Sequence, residues 1–378
     1  MRIYTVLLMA GIASTIALSP AKAEEKILYI NKNDLHSGHS GHGNGKHIHN
    51  DYAPAGVMGS HMHKAGDFMF SYRTMRMNMD GNRMGTHNLD PITIATTHTN
   101  RFSGVTGQPA TLRVVPTDMT MDMHMLGAMY APTEWLTFMV MANYLKKEMN
   151  HITFAGGAGT SILGNFTTKS EGWGDTKISG LVRLFNDDTH HAHFKLGLSL
   201  PTGAIDKMGT VLAPTGATPH LRLPYAMQLG TGTIDLLLGT TYTGRKDAWG
   251  WGAQYAAAIH LESENEEGYS WGDKHSLTAW GSYEWAPWIS TSLRLTAYTQ
   301  DSIDGIDPKI VAPVQTADPD NYGGNVVEYG LGVNLMGTNR ILKDHRLAFE
   351  ITAPLYRDPK GLQLETDWTV TVSWQYTF

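Results

Sequence analysis

Methionine is the residue whose placement could do chemistry. Fifteen of the twenty Met lie between Met58 and Met149. Met69, Met75, Met77 and Met79 share one parity, Met119, Met121, Met123, Met125 and Met129 share another series, and Met139 and Met141 form a third. Alternate residues of an extended chain point to one face. Thioether sulfur is a soft ligand, and sets of it favour Cu(I) or Ag(I). It also serves as an adaptable apolar filler. A second set, His36, His39, His42, His47, His49, His61 and His63, supplies imidazoles that suit Cu(II), Zn(II) or Ni(II). As a plain solvated tail it would bind metal only adventitiously. Both sets are expected metal ligands, with copper the candidate ion and no obligatory cofactor.

No catalytic set competes. The chain has no Cys and no Gly-x-Ser-x-Gly elbow. His260, Glu262 and Ser276 share a predicted inward face, a coincidence any polar-lined barrel offers. Gly156–Gly159 has no following helix and is not a phosphate cradle. An enzyme is not expected. The net charge of −6 gives no reason to expect nucleic acid.

The elements that must position these residues are strands. Residues 1–23 carry Arg2, an apolar run and Ala21-Lys22-Ala23, the pattern of a cleaved secretory signal. Residues 24–65 are expected to be a flexible, disordered His-rich periplasmic segment. Residues 66–378 alternate with period 2. In the last strand Trp368, Val370, Val372, Trp374, Tyr376 and Phe378 oppose Asp367, Thr369, Thr371, Ser373, Gln375 and Thr377. One face is wholly apolar and the other wholly polar. A soluble sandwich would bury the first face, whereas an outer-membrane barrel turns it to lipid.

Similar alternation predicts strands at about 66–79, 118–130, 134–147, 173–186, 191–200, 224–243, 251–259, 276–285, 292–298, 327–335 and 346–352. With the last they make twelve, an even number with both ends on one side. Connections on that side are mostly short. The opposite ones, about 80–117, 148–172, 201–223, 263–270, 301–324 and 356–365, are longer. Short periplasmic turns and long outer loops are the outer-membrane asymmetry. The expected fold is therefore all-β, a transmembrane antiparallel β-barrel in the outer membrane of a Gram-negative bacterium, in contact with its lipid.

The predicted inward face includes Arg73, Asp175, Lys177, Arg183, Lys195, Asp235, Glu262, Glu284, Arg294, Glu328, Arg346 and Glu350. Mixed charge suits either a salt-bridged filling or a small polar pore. The three Met series also fall inward, so eleven thioethers aim at one sector of the lumen.

Ala53-Pro54-Ala55-Gly56-Val57-Met58-Gly59-Ser60-His61-Met62-His63 leading into Phe68-Met69-Phe70-Ser71-Tyr72-Arg73, and Met119-Thr120-Met121-Asp122-Met123-His124-Met125 leading into Tyr130-Ala131-Pro132, resemble a Proteobacterial family of outer-membrane barrels. It is labelled "transporter" or "meta-pathway of phenol degradation". The resemblance runs from about residue 53 to the end, implies uptake of aromatic or other hydrophobic compounds, and carries over no site residues. The first expectation is a transporter or channel-like barrel handling copper or silver through its Met-rich lumen. The alternatives are a channel for small hydrophobic or aromatic compounds, and a non-conducting structural or binding barrel. The partner is then a small solute or a metal ion, and no interface signal sets an oligomeric state.

Overall fold

The computed structural model describes residues 53–339 and 341–378. Twelve strands form the barrel: β1 Phe68–Met84, β2 Val114–Thr133, β3 Leu136–Phe154, β4 Thr176–Asn186, β5 His190–Leu200, β6 Asp235–Lys246, β7 Trp249–His260, β8 Lys274–Ala286, β9 Ile289–Gln300, β10 Gly324–Met336, β11 His345–Pro359 and β12 Leu362–Thr377. Each pairs antiparallel with the next. The ring closes where β12 pairs with β1, from Met69 opposite Thr377 to Met84 opposite Leu362. Phe68 and Phe378 exchange backbone hydrogen bonds of 2.8 and 2.9 Å at the seam. Closure leaves no unpaired edge for hydrocarbon to meet.

Strand parity behaves as the alternation requires. Phe70, Leu126, Phe138, Val140, Leu196, Leu277, Leu293, Leu295, Leu331, Phe349 and Ile351 are exposed on the outer wall. Aromatic residues gather near the short turns. Phe68 stacks on Tyr130 with centroids 4.2 Å apart, and Trp249, Trp285 and Trp288 are exposed at the same end. This is the interfacial girdle of a membrane barrel. No described helix is long and apolar enough to cross a membrane, so the strands do the crossing.

Two boundaries differ from the sequence expectation. The strand expected at 224–243 begins only at Asp235. Residues 225–229 instead form a turn of the preceding loop, and Tyr225, Met227 and Leu229 are buried there because that loop packs against other protein. The strands β1, β2 and β3 run 17, 20 and 19 residues, well beyond the ~9–11 that cross a bilayer. They rise past the membrane as one tall wall, which the strand Ile162–Trp173 extends by pairing with the upper half of β3. The outer loops 80–117 and 148–172 are correspondingly shorter than expected.

Candidate functional site

The three Met series meet in register. Met69 faces Met129, which faces Met139, near the short turns. Met75 faces Met123, and Met77 faces Met121. Met79 faces Met119, which faces Met149, at the outer end. The inward ladder is therefore real, and Arg73 and Met125 share one of its rungs.

Its two ends are closed. At the short-turn end, Met69, Met129 and Met139 form a buried cluster with Leu181, against which Met62 and Met141 pack. Met62 belongs to a segment that crosses the lumen. On one wall Arg346 donates to the Ala53 carbonyl, and the Gly56 amide donates to the Glu350 carboxylate. Farther along, Gln254 donates to Met58 O at 3.0 Å and His193 Nε2 lies 2.9 Å from Gly59 O. The His63 amide reaches Thr137 Oγ1 at 3.4 Å. Ala53 and Val57 pack on the inward-facing Trp280. The expected tail thus contains two parts. Residues 53–65 belong to one compact unit with the barrel, while His36, His39, His42, His47 and His49 lie outside the described residues, as does the expected signal at 1–23.

At the outer end, Met119 and Met149 are buried beneath Leu223 and Met227 of the loop between β5 and β6. Lys147 holds that loop inward by donating to Ala226 O at 2.8 Å and Gln228 O at 2.6 Å. Above it the outer loops share a core of their own, containing Val114, Tyr225, Tyr269, Ile310, Val314 and Tyr322. Burial pushes the Tyr225 phenol up to about 12 and the Tyr269 and Tyr322 phenols up as well. These phenols stay protonated, so the cap core carries no charge from them. At its rim Arg222 and Lys309 bind Glu267 at 3.0 and 2.6 Å. Lys309 first, then Arg222 against the opposing effect of burial, holds the Glu267 carboxyl below its ordinary value.

Arg113 anchors the cap to the wall. It is fully buried, and its guanidinium donates to the carbonyls of Gly159 at 2.8 Å, Ala155 at 2.9 Å, Gly156 at 3.1 Å, Ala95 at 3.2 Å and Ala158 at 3.3 Å. Its Cζ lies 5.4 Å from the Phe154 ring centroid. Among the described residues no carboxylate pairs with it. The glycine-rich stretch that could not cradle a phosphate wraps an arginine instead, with carbonyls rather than amides turned inward.

Between the tall wall and these loops lies a cavity of about 450 Å³. Val114, Phe166, Val211, Leu212, Leu221 and Val314 line it, with Gln108, His151, Thr168, Thr215 and Arg222 as its side-chain polar groups. Phe166 stacks flat on His151, centroids 4.6 Å apart. This is the composition of a small-molecule cleft. Sequence reasoning missed it because its lining comes from five separated loop and strand segments. The apolar run Val211–Leu212 in a Pro- and Gly-rich loop was the one available signal.

The metal expectation fares differently. Thioethers at both ends of the ladder are spent in packing. Met75, Met77, Met121 and Met123 remain half-buried in the middle. His61 and His63 stack edge-on at 4.8 Å in the crossing segment. Among the described residues no group of three His, Asp or Glu is arranged to hold an ion. The polar trio does not assemble either. His260 Nδ1 binds Asp235 at 2.7 Å, Ser276 donates to Ala256 O at 3.2 Å, and Glu262 is exposed beyond the end of β7. Of the expected inward charges, Arg294 binds Glu350 at 2.6 Å and Glu328 at 3.4 Å, and Arg245 pairs with Glu284.

No protein-family model matches the sequence, and no curated protein matches it. Among solved structures, the COG4313 outer membrane channel from Pseudomonas putida F1 is similar at 12% identity, over 85% of this chain and 98% of that one, with a TM-score of 0.53. The Pseudomonas putida toluene transporter TodX follows at 11% identity over 84% and 90%, TM-score 0.40. A Pseudomonas aeruginosa FadL homologue follows at 9% identity over 82% and 90%, TM-score 0.42. The first of these likenesses establishes the fold. Together with the closed ring, the lipid-facing apolar wall and the aromatic girdle, it makes this chain a twelve-stranded β-barrel of the Gram-negative outer membrane.

Proposed function

We propose that this chain is an outer-membrane channel for small hydrophobic or aromatic compounds. The observation that carries the proposal is the apolar cavity under the outer loops, whose size suits one such molecule. Val114 and His151 place it on β2 and β3, the strands that carry the Met ladder into the lumen. Flexible thioethers adapt to varied apolar shapes. A channel role also fits the fold shared with the COG4313 channel. Phenol, which the family label would single out, is one member of this solute class.

A carboxylate in the cavity tests the proposal. Leu212→Glu, on the purified barrel in liposomes, is expected to lower toluene uptake by about tenfold, because a charge there must stay hydrated where the solute would sit. Leu212→Met should keep uptake. Unchanged uptake in Leu212→Glu overturns the proposal.

The ladder separates this proposal from metal handling. Replacing Met75, Met77, Met121 and Met123 together with Leu preserves apolarity and volume but removes soft ligands. Toluene uptake is expected to stay within about twofold of the parent, since such swaps are the mildest core changes. A loss of Ag(I) binding together with a loss of silver passage would favour the metal instead.

A further inference from the structure

Below the inward loop lies a second cavity of about 280 Å³, and charged side chains line it. Lys147, Lys177 and Lys274 line it. Lys195, one strand over, lies within electrostatic reach of Lys177, as does Lys274. Gly239 lies under the Lys195 stem, where an added Cβ would come 3.2 Å from its Cε. Ala258 faces Lys274 across the β7–β8 pairing. Small neighbours therefore leave these ammonium groups room to extend inward.

The cavity's carboxylates are already used. Asp175 accepts from the Gly203 and Thr231 amides at 2.9 and 2.8 Å. Asp235 accepts from His260 at 2.7 Å and Thr233 at 2.6 Å. Glu328, whose charge reaches Lys274, is bound to Arg294 at 3.4 Å. Among the described residues, neither Lys177 nor Lys195 forms an ion pair or a side-chain hydrogen bond, and Lys274 has only the face of Tyr298, 4.3 Å from its Nζ. Lys147, Lys177 and Lys274 outnumber Asp175 and Asp235 around the cavity, and this excess of positive charge attracts a negatively charged solute. A carboxylate there would gain charge-assisted hydrogen bonds from ammonium groups that have no carboxylate partner of their own.

We infer that this chamber binds small organic anions, an aromatic carboxylate in particular, with Lys177 and Lys274 holding the carboxylate and Lys195 adding positive charge from one strand over. The aromatic body would lie toward Trp271, which lines the cavity, and toward Tyr298, whose ring lies beside Lys274. The inference rests on the channel proposal for the apolar part of the solute and adds its charge. It makes the lumen selective among aromatic compounds, favouring the ionised ones.

Titration calorimetry on the full-length barrel in detergent at low ionic strength tests it, with benzoate, uncharged benzamide and acetate as probes. Benzoate is expected to bind about tenfold more tightly than benzamide or acetate, a preference that salt weakens. The triple variant Lys177→Gln/Lys195→Gln/Lys274→Gln should erase the preference over benzamide while retaining the heat-modifiable gel mobility of a folded barrel. The single variant Lys177→Gln, which carries less folding risk, should reduce it part of the way. No measurable benzoate binding, equal binding of benzoate and benzamide, or a preference unchanged in Lys177→Gln would overturn the inference. Acetate binding as tight as benzoate would overturn the aromatic part. Failure of toluene uptake would instead remove the channel proposal, and the calorimetric preference would be read independently of it.

Discussion

Replacing residues 53–62 by a Gly/Ser stretch of equal length is expected to open the lumen at its short-turn end. Leu181 is the reporter. It is 0% exposed in the cluster under the crossing segment. The chain has no Cys, so a single Leu181→Cys is the one thiol present. In the parent a water-soluble thiol reagent should hardly reach it. Without the segment, labelling should speed up by about a hundredfold, because twelve strands enclose more room than the eight whose side chains just fill a barrel. The strand wall itself is untouched, so heat-modifiable mobility should persist.

A milder variant approaches the same point from the wall. Glu350 binds both the Gly56 amide and Arg294. Breaking a buried pair of this kind costs roughly 3–5 kcal/mol, so Glu350→Gln is the more conservative choice. Its amide cannot accept as a carboxylate does, and the segment's first anchor weakens. Intermediate labelling is expected. Labelling of Leu181→Cys that stays at the parent rate when residues 53–62 are replaced would show that the segment does not seal the lumen.

Removing Arg113 is expected to release the cap and leave the barrel standing. In Arg113→Met the carbonyls of Ala155, Gly156, Ala158 and Gly159 lose this donor, and Ala95 O keeps only Thr111 Oγ1. Each buried acceptor left unmet costs about 1–3 kcal/mol, less where water can enter. The loop Ala155–Gly159 is otherwise tied to the cap by Gly156 N, which donates to Pro214 O at 2.9 Å, and Ala95 ties the same arginine to the helix Pro91–Thr97. Limited proteolysis of the outer loops should then rise by about tenfold or more, as a locally opened unit is cut in proportion to its opening. Arg113→Lys should rescue little, because three donors on a point charge cannot replace a planar fork of five. A proteolytic pattern identical to the parent in Arg113→Met would refute the role. Loss of the cap also dismantles the apolar cavity, so toluene uptake and loop cleavage should change together.

The sequence by itself determined the barrel. Period-2 alternation is a local property, and each strand carried its own inside and outside. The lipid-facing set from Phe70 to Ile351 and the inward Met series could be read one strand at a time. The even count of strands and the sorting of loop lengths then followed. Those same signals are weaker where burial is not supplied by lipid. The apolar run after Pro224 looked like a strand because Tyr225, Met227 and Leu229 are buried, but the partner burying them is another part of the protein.

Only the tertiary structure decided what the lumen contains. Residues 53–65 show no periodicity, and their Gly, Ser and His read as a solvated tail. Their burial comes from Arg346, Glu350, Gln254 and His193, which lie from 134 to 294 positions away in the chain where hydrogen bonds are recorded. The apolar cavity likewise joins segments near residues 114, 151, 166, 212 and 314. The Met ladder illustrates both halves. Parity aimed it inward, whereas its covered ends and half-buried middle follow from a segment and a loop that fold back into the barrel. Long-range contacts leave no trace in local pattern, because the residues that make them need only complement each other once the ring has closed.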